Sequence, residues 1–180
     1  MVRTRVGYAG GTKLQPTYHS LGDHTETIEM DYDPQNVSFA DLLDVFWNSH
    51  NPASLPWSRQ YASILFVHDE EQRQLAEASK QQQEAELGRK IYTEILPYNG
   101  FTLAEDYHQK YRLRNSTLLR EYQIMYPGLV AFVDSTAVTR VNGYLGGHGS
   151  PEQLESEIDM LGLSEAGKGM LRRIAAVSHR

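Results

Sequence analysis

The chain has 180 residues, 40% of them hydrophobic, which is enough for one domain with a substantial buried core. Its 17 basic and 23 acidic residues give a net charge of −6 without any basic block, so we expect no nucleic-acid partner. The sequence has no apolar run of membrane-spanning length and no cysteine, so we expect no membrane segment, disulfide, Cys-ligated metal or thiol nucleophile in these residues.

Two alternating segments open the chain. Residues 2–8 alternate and end in Ala-Gly-Gly, which predicts a strand that runs into a loop. In the second segment, Glu26 shares one strand face with Ile28, Met30 and Tyr32. A carboxylate on an apolar face must be paired, hydrogen-bonded or kept protonated, which makes Glu26 a candidate acid. The alternative is a glutamate at the sheet margin that reaches solvent, and the alternation does not decide between the two.

A capped helix and an alternation of strands and helices follow. Ser38 with Asp41 three residues later is a capping-box signature for an amphipathic helix that ends near Ser49. Four further segments are predicted: a strand over 60–67, a polar surface helix over 69–87, a strand over 90–96 and a helix over 103–113. This alternation is typical of the mixed α/β or α+β classes.

The last third differs in character. Residues 129–133 are a strand candidate, 142–147 form a glycine-rich turn, and Ser150-Pro151 begins the first of two short helices. We therefore interpret residues 1–111 as the main domain and residues 112–180 as a mostly helical extension packed on it.

Nine short strings occur in the order in which the methionine sulfoxide reductase A family has them. They are Gly7-Tyr-Ala-Gly-Gly11, Pro16-Thr-Tyr18, His24-Thr-Glu26, Tyr32-Asp-Pro34, Leu42-Leu43, Phe46-Trp47, His50-Asn-Pro52, Arg59-Gln-Tyr61 and Ala104-Glu-Asp-Tyr-His-Gln109. The chain resembles this family from about Val2 to Tyr111. The resemblance implies an α+β fold, a two-layer ferredoxin-like sandwich whose first strand and helix are missing here, with a helical C-terminal extension.

The resemblance also implies an activity, the thiol-dependent reduction of methionine S-sulfoxide, free or in proteins, as repair of oxidative damage. In that chemistry a cysteine thiolate attacks the sulfoxide sulfur while donors protonate its oxygen, and thioredoxin or another thiol then reduces the sulfenic acid, with no cofactor. The donors carry over to Glu26, Tyr18 and Tyr61, which we predict to converge on one shallow pocket. Three further residues are predicted to support the pocket: His24, His108 and Gln109.

The family's nucleophile element, Gly-Cys-Phe-Trp-Gly, is absent from this chain, and Leu55-Pro-Trp-Ser58 stands where the family usually has an aspartate-bearing loop. One hypothesis is an N-terminally shortened reductase. The alternative is a cysteine-less descendant that binds sulfoxide or a protein partner without catalysis. Glu26, Tyr18 and Tyr61 fit both, and in either case we expect no turnover of methionine sulfoxide by these residues alone.

Glu105 and His108 form a Glu-x-x-His motif, which suggests a metal site. Carboxylate-bridged metal sites need that motif twice, and the sequence has no second copy, so we predict no metal site. Without a secretion signal or a membrane segment in these residues, we expect a cytoplasmic protein.

Overall fold

The structure of the protein, a computed structural model, describes residues 1–178 and mixes strands with helices, which confirms the expected α+β class. In chain order the elements are β1 (Arg3–Ala9), β2 (Thr25–Asp31), α1 (Phe39–Asn48), β3 (Ile64–Val67), α2 (Glu70–Leu87), β4 (Glu94–Pro97), β5 (Phe101–Leu103), α3 (Tyr111–Arg114), α4 (Leu119–Met125), α5 (Leu129–Asp134), α6 (Thr136–Leu145), α7 (Pro151–Glu157) and α8 (Glu165–Ser178). Single 3₁₀ turns lie at Arg59–Tyr61, Asp106–His108 and Ile158–Leu161. Among the described helices, none is both long enough and apolar enough to cross a bilayer.

The chain divides into two compact units. The N-terminal unit comprises Gly7–Thr27 and Asp33–Ala104, and the C-terminal unit comprises Met1–Val6, Ile28–Tyr32 and the described residues from Glu105 onward. The predicted division into residues 1–111 and 112–180 stays a prediction.

The core of the N-terminal unit is formed by α1 and α2 against a parallel β3–β4 pair. Ile64 lies opposite Glu94 in this pair, and α2 is the crossover that a parallel connection requires. The buried side chains of this core are Leu43, Trp47, Val67, Ala76 and Ile91. The indole Nε1 of Trp47 donates to the Ser79 hydroxyl at 3.1 Å, which links the two helices.

Local signals set the ends of these helices. The Ser38 hydroxyl accepts from the Asp41 N–H at 3.1 Å, and the Asp41 carboxylate accepts from the Ser38 N–H at 2.8 Å, so the predicted capping box is confirmed. Helix α2 ends at Gly88, whose φ of 63° lies in the left-handed region. The predicted strand over 60–67 begins only at Ile64, because Arg59–Tyr61 forms a 3₁₀ turn.

A three-stranded sheet has the order β2-β1-β5, and β1 is antiparallel to β5. Glu26, Ile28 and Met30 lie on an exposed face of β2, so the interpretation of Glu26 as a core-face carboxylate is wrong. Ile28 is 52% exposed, whereas Glu29 on the opposite face is half-buried and its carboxylate lies 2.7 Å from an Nη atom of Arg5. Alternation identifies the residues that share a face but not the face that is buried.

The C-terminal unit packs helices around α6. Its core side chains are Leu113, Leu118, Tyr122, Phe132, Val133, Val138, Val141, Tyr144, Leu154, Ile158, Leu161, Leu163, Leu171 and Ala175. Within this core, the Tyr122 hydroxyl donates to the Leu161 carbonyl at 2.7 Å. The buried Glu157 carboxylate accepts from the Tyr144 hydroxyl at 2.5 Å and pairs with Arg140.

Lys110 is buried between the start of β1 and α6. Its ammonium group donates to the Thr4 carbonyl at 2.6 Å, the Thr4 hydroxyl at 3.1 Å and the Thr139 hydroxyl at 2.6 Å. Burial lowers its pKa to about 8, with Asp134 opposing the decrease and Arg5 adding to it. A lysine with only 5% exposure thus connects the first strand to a helix of the same unit.

Three predicted elements are wrong in this part of the chain. Residues 129–133 belong to helix α5, because a short apolar run suits a buried strand and a buried helix equally. Residues 142–145 of the predicted turn continue α6. The helix tolerates Gly143 at a cost of about 1 kcal/mol relative to alanine. The predicted helix over 103–113 is instead the end of β5, a 3₁₀ turn and the one-turn α3.

Candidate functional site

His24 and Asp23 hold the loop that follows β1. The His24 Nδ1 accepts from the Gly11 N–H at 3.2 Å, and its Nε2 lies 2.9 Å from the Lys13 carbonyl oxygen. The tautomer with its proton on Nε2 satisfies both contacts. A Cβ at Gly11 would lie 2.6 Å from the His24 ring, so the approach of the loop to this histidine requires glycine.

The Asp23 carboxylate closes the same loop from the outside. It accepts from the Thr12 N–H at 2.9 Å, from the Thr12 hydroxyl at 2.9 Å and from the Lys13 N–H at 3.2 Å. These hydrogen bonds, with the Thr12 N–H first, lower the pKa of Asp23 to about 2. The predicted support residue His24 therefore acts within a clamped loop, and its contribution to a substrate pocket stays a prediction.

Glu26 is exposed at the start of β2 and is hydrogen-bonded from the 3₁₀ turn before β3. Gln60 Nε2 donates to Glu26 Oε1 at 2.7 Å and to the Tyr61 hydroxyl at 3.2 Å. The neighbouring Thr25 hydroxyl donates to the Arg59 carbonyl at 2.9 Å, which holds the turn against the strand. The amide of Gln60 therefore places the carboxylate and the phenol beside each other.

Tyr18 completes the cluster through a hydrogen bond with Tyr61. This bond is the largest cause that raises the pKa of Tyr61 to about 12, followed by desolvation and by the charges of Tyr18 and Glu26. A phenol with that pKa stays protonated at neutral pH and remains a hydrogen-bond donor. The structure thus brings Tyr18, Glu26 and Tyr61 together with Gln60, and we call these four residues the donor cluster.

His108 and Gln109 lie in the C-terminal unit. The Gln109 amide bonds the backbone of Val6 twice: its Oε1 accepts from the N–H at 3.1 Å and its Nε2 donates to the carbonyl at 2.7 Å. Gln109 is 1% exposed, and its amide makes the two hydrogen bonds to the Val6 backbone that a neighbouring strand would otherwise make. The His108 ring packs against Tyr107 with ring centroids 4.2 Å apart. Their assignment to a substrate pocket stays a prediction.

Sequence reasoning missed two residues of this site, Gln60 within the donor cluster and Trp57 beside it. Gln60 lies inside the Arg59-Gln-Tyr61 string, so the string contained the signal. Trp57 is 81% exposed and stacks on Tyr61, with ring centroids 4.7 Å apart and an interplanar angle of 25°. The signal available in the sequence was a tryptophan in a proline-containing loop, where a large aromatic side chain, usually mostly buried, lies outside the periodic segments.

Comparisons with known proteins agree on one family. Residues 1–140 match the family model described as peptide methionine sulfoxide reductase, and residues 132–175 match the model described as the helical domain of selenoprotein methionine sulfoxide reductase A. A peptide methionine sulfoxide reductase of Drosophila melanogaster is 47% identical over 166 residues, which cover 91% of this chain and 67% of that protein. Peptide methionine sulfoxide reductase A5 of Oryza sativa subsp. japonica is 35% identical, with 88% and 66% covered.

Solved structures give the same result for the fold. The reduced form of Mxr1 from Saccharomyces cerevisiae is similar with a TM-score of 0.58 and 28% identity, covering 62% of this chain and 70% of that chain. Methionine sulfoxide reductase A of Corynebacterium diphtheriae has a TM-score of 0.55 and 31% identity, with 63% and 64% covered. The chain spans about two thirds of the length of the curated relatives it matches.

Proposed function

Because the chain belongs to the peptide methionine sulfoxide reductase family, we propose that the donor cluster binds the sulfoxide oxygen of oxidised methionine during its reduction to methionine. The observation that carries this proposal is the hydrogen-bonded sequence of Glu26, Gln60, Tyr61 and Tyr18 on an exposed part of the N-terminal unit. A sulfoxide oxygen is a strong hydrogen-bond acceptor. Neutral phenols suit it because at neutral pH they still have an O–H group to donate.

The chemistry follows from the charge that develops on this oxygen. When a thiolate attacks the sulfoxide sulfur, the sulfur–oxygen bond weakens and negative charge collects on the oxygen. Tyr61 and Tyr18 stabilise that charge by hydrogen bonding, and Glu26, which takes up a proton from solvent, passes it to the oxygen from its position beside Tyr61. The products are methionine and a sulfenic acid, which two further thiol groups reduce with release of water.

The thiol that receives the oxygen is not among these residues, because the 180-residue sequence contains no cysteine. Residues 1–180 alone therefore bind the sulfoxide and do not reduce it, since hydrogen-bond donors supply protons but no electrons. Thioredoxin or another thiol serves as the reductant of the complete reaction. We also propose a cytoplasmic location, because the cytosol keeps such thiols reduced.

Binding can be measured on the chain as it is. In ¹⁵N-resolved NMR titrations with N-acetyl-methionine-(S)-sulfoxide methylamide, we expect saturable shifts at Tyr18, Glu26, Gln60 and Tyr61. Tyr61→Phe and Glu26→Gln weaken the binding, whereas Tyr92→Phe, at an exposed tyrosine of the same unit, leaves it unchanged. Equal shifts with the R epimer or with the unoxidised methionine amide would contradict the proposal.

Turnover tests the chemical half of the proposal. Fusing a strand that ends in Gly-Cys-Phe-Trp-Gly to the N-terminus is expected to give dithiothreitol-dependent reduction of the S epimer. In that fusion, Glu26→Gln lowers kcat by roughly 10²–10⁴-fold, the usual contribution of a positioned acid. Unchanged kcat in the Gln variant would exclude Glu26 as the proton donor.

A further inference from the structure

We propose that Trp57 is a binding platform for the residue next to the oxidised methionine, so that the donor cluster favours peptides in which methionine sulfoxide has an apolar or aromatic neighbour. This inference rests on the proposed function, because it uses the position of the sulfoxide oxygen beside Tyr61. It names a substrate class and a specificity-determining residue for that site.

The geometry of the aromatic pair carries the inference. Trp57 stacks on Tyr61 at 4.7 Å and 25°, so one face of the indole is against the phenol whose hydroxyl belongs to the donor cluster. With 81% of the residue exposed, the other face of the indole lies open to solvent. The open face and the sulfoxide donors are therefore only one aromatic ring apart.

This separation matches the spacing of neighbouring residues in a peptide. Consecutive Cα atoms lie about 3.8 Å apart, and a bend in the peptide at the oxidised methionine brings two adjacent side chains to the same side, whereas those of a fully extended chain point to opposite faces. When the sulfoxide of one residue contacts Tyr61, the side chain of a neighbouring residue reaches the Trp57 ring. A sulfoxide peptide with glycine on both sides has no such side chain and leaves the indole uncovered.

The loop that carries Leu55 and Trp57 exposes two large apolar side chains that the fold itself does not use. Leu55 is 70% exposed and Trp57 81%, so neither contributes much apolar burial to the N-terminal unit. A flat aromatic face gains most from an apolar or aromatic partner, through burial and through offset or edge-to-face ring packing. The chemistry at Trp57 therefore favours Phe, Tyr, Trp or a large aliphatic residue beside the oxidised methionine.

The test uses two-dimensional NMR of the indole N–H groups. The chain has two tryptophans, and Trp47 is a built-in reference because it is 4% exposed and bonded to Ser79. The probes are four capped tripeptides: Gly-Met(S-sulfoxide)-Gly, Gly-Met(S-sulfoxide)-Phe, Phe-Met(S-sulfoxide)-Gly and unoxidised Gly-Met-Phe. The variants are Trp57→Ala, Trp57→Phe to retain an aromatic face, and Tyr92→Ala as an exposed aromatic control in the same unit.

We expect at least one Phe-containing sulfoxide peptide to bind roughly 3- to 10-fold more tightly than the Gly peptide, with a shift of the Trp57 indole and not of Trp47. This advantage is lost in Trp57→Ala, restored in Trp57→Phe and unchanged in Tyr92→Ala.

Two results would overturn the inference and leave the proposed function intact. In the first, the Gly sulfoxide peptide shifts Tyr61 and neither Phe peptide binds more tightly. In the second, the advantage of Phe persists in Trp57→Ala. Equal affinity for Gly-Met-Phe and its sulfoxide would overturn both proposals, because Trp57 would then bind apolar peptides independently of oxidation. Absence of any shift at Tyr61 with all sulfoxide peptides would likewise reject both.

Discussion

Replacement of Lys110 measures how strongly burial affects the ammonium group that lies between Thr4 and Thr139 in the C-terminal unit. Lys110→Met keeps the unbranched apolar stem and removes the ammonium group. Because Lys110 adopts a φ of 53°, a second unbranched residue leaves the backbone cost nearly unchanged. The comparison therefore isolates the charge and its three hydrogen bonds.

The expected magnitude follows from the pKa of Lys110. Burial lowers this pKa from 10.5 to about 8, which corresponds to about 3 kcal/mol. Below pH 8 the ammonium is charged in both the folded and the unfolded protein. Between pH 8 and 10.5 the folded protein has released the proton and the unfolded protein still holds it, so the free energy of unfolding attributable to Lys110 rises with pH across this window.

Urea unfolding followed by circular dichroism, at intervals from pH 7 to pH 10.5, measures this effect. The free energy of unfolding of the wild type minus that of Lys110→Met is expected to increase by about 3 kcal/mol over the range. Lys110→Arg is the matched control, because a guanidinium stays charged throughout and its difference from the Met variant should not change. A wild-type difference that stays constant, or that falls with pH because attraction to Asp134 outweighs burial, would refute the reasoning.

Three further predictions concern single side chains. Gln109→Leu should lower the free energy of unfolding by about 2–6 kcal/mol in urea titrations, because the Val6 N–H and carbonyl each lose a buried partner worth about 1–3 kcal/mol. Tyr122→Phe should lower it by about 1–3 kcal/mol, because the Leu161 carbonyl loses its donor in the core; a change below about 0.3 kcal/mol would show that the carbonyl finds another partner. The Thr12 amide resonance should titrate with a midpoint near pH 2, since the contribution of ionised Asp23 is present above its ordinary pKa and is lost as the pH falls through about 2; this titration should be absent in Asp23→Asn.

The sequence predicted those elements whose signals are local. The capping box at Ser38 and the glycine at position 88 located the ends of α1 and α2, because both signals act within one helical turn. The buried face of β2 was left open by the alternation, since the inward side of an alternating strand depends on distant packing partners. Helix α5 was missed for the same reason, because a five-residue apolar run contains no preference that packing cannot override.

The candidate site was likewise predicted only in part from the sequence. Tyr18, Glu26 and Tyr61 were selected from short strings that resemble a family, and the structure places them together. Trp57 lies in a loop without periodicity, so its stacking on Tyr61 required coordinates. The Gln109 amide that bonds Val6 is separated from it by 103 residues, a distance over which no sequence pattern operates.

The positions of the partners of β1 in the sequence also determine when this strand can form its native interactions during synthesis of the protein. Thr4 and Val6 are bonded by Lys110 and Gln109, and Arg5 is paired with Asp134, 129 positions later. At about 5–20 residues per second, a ribosome needs roughly 6 to 26 seconds to proceed from Arg5 to that aspartate. The β3–α2–β4 segment, whose paired residues are about 30 positions apart, has its partners much earlier. Strand β1 is thus synthesised well before all of its native partners are available.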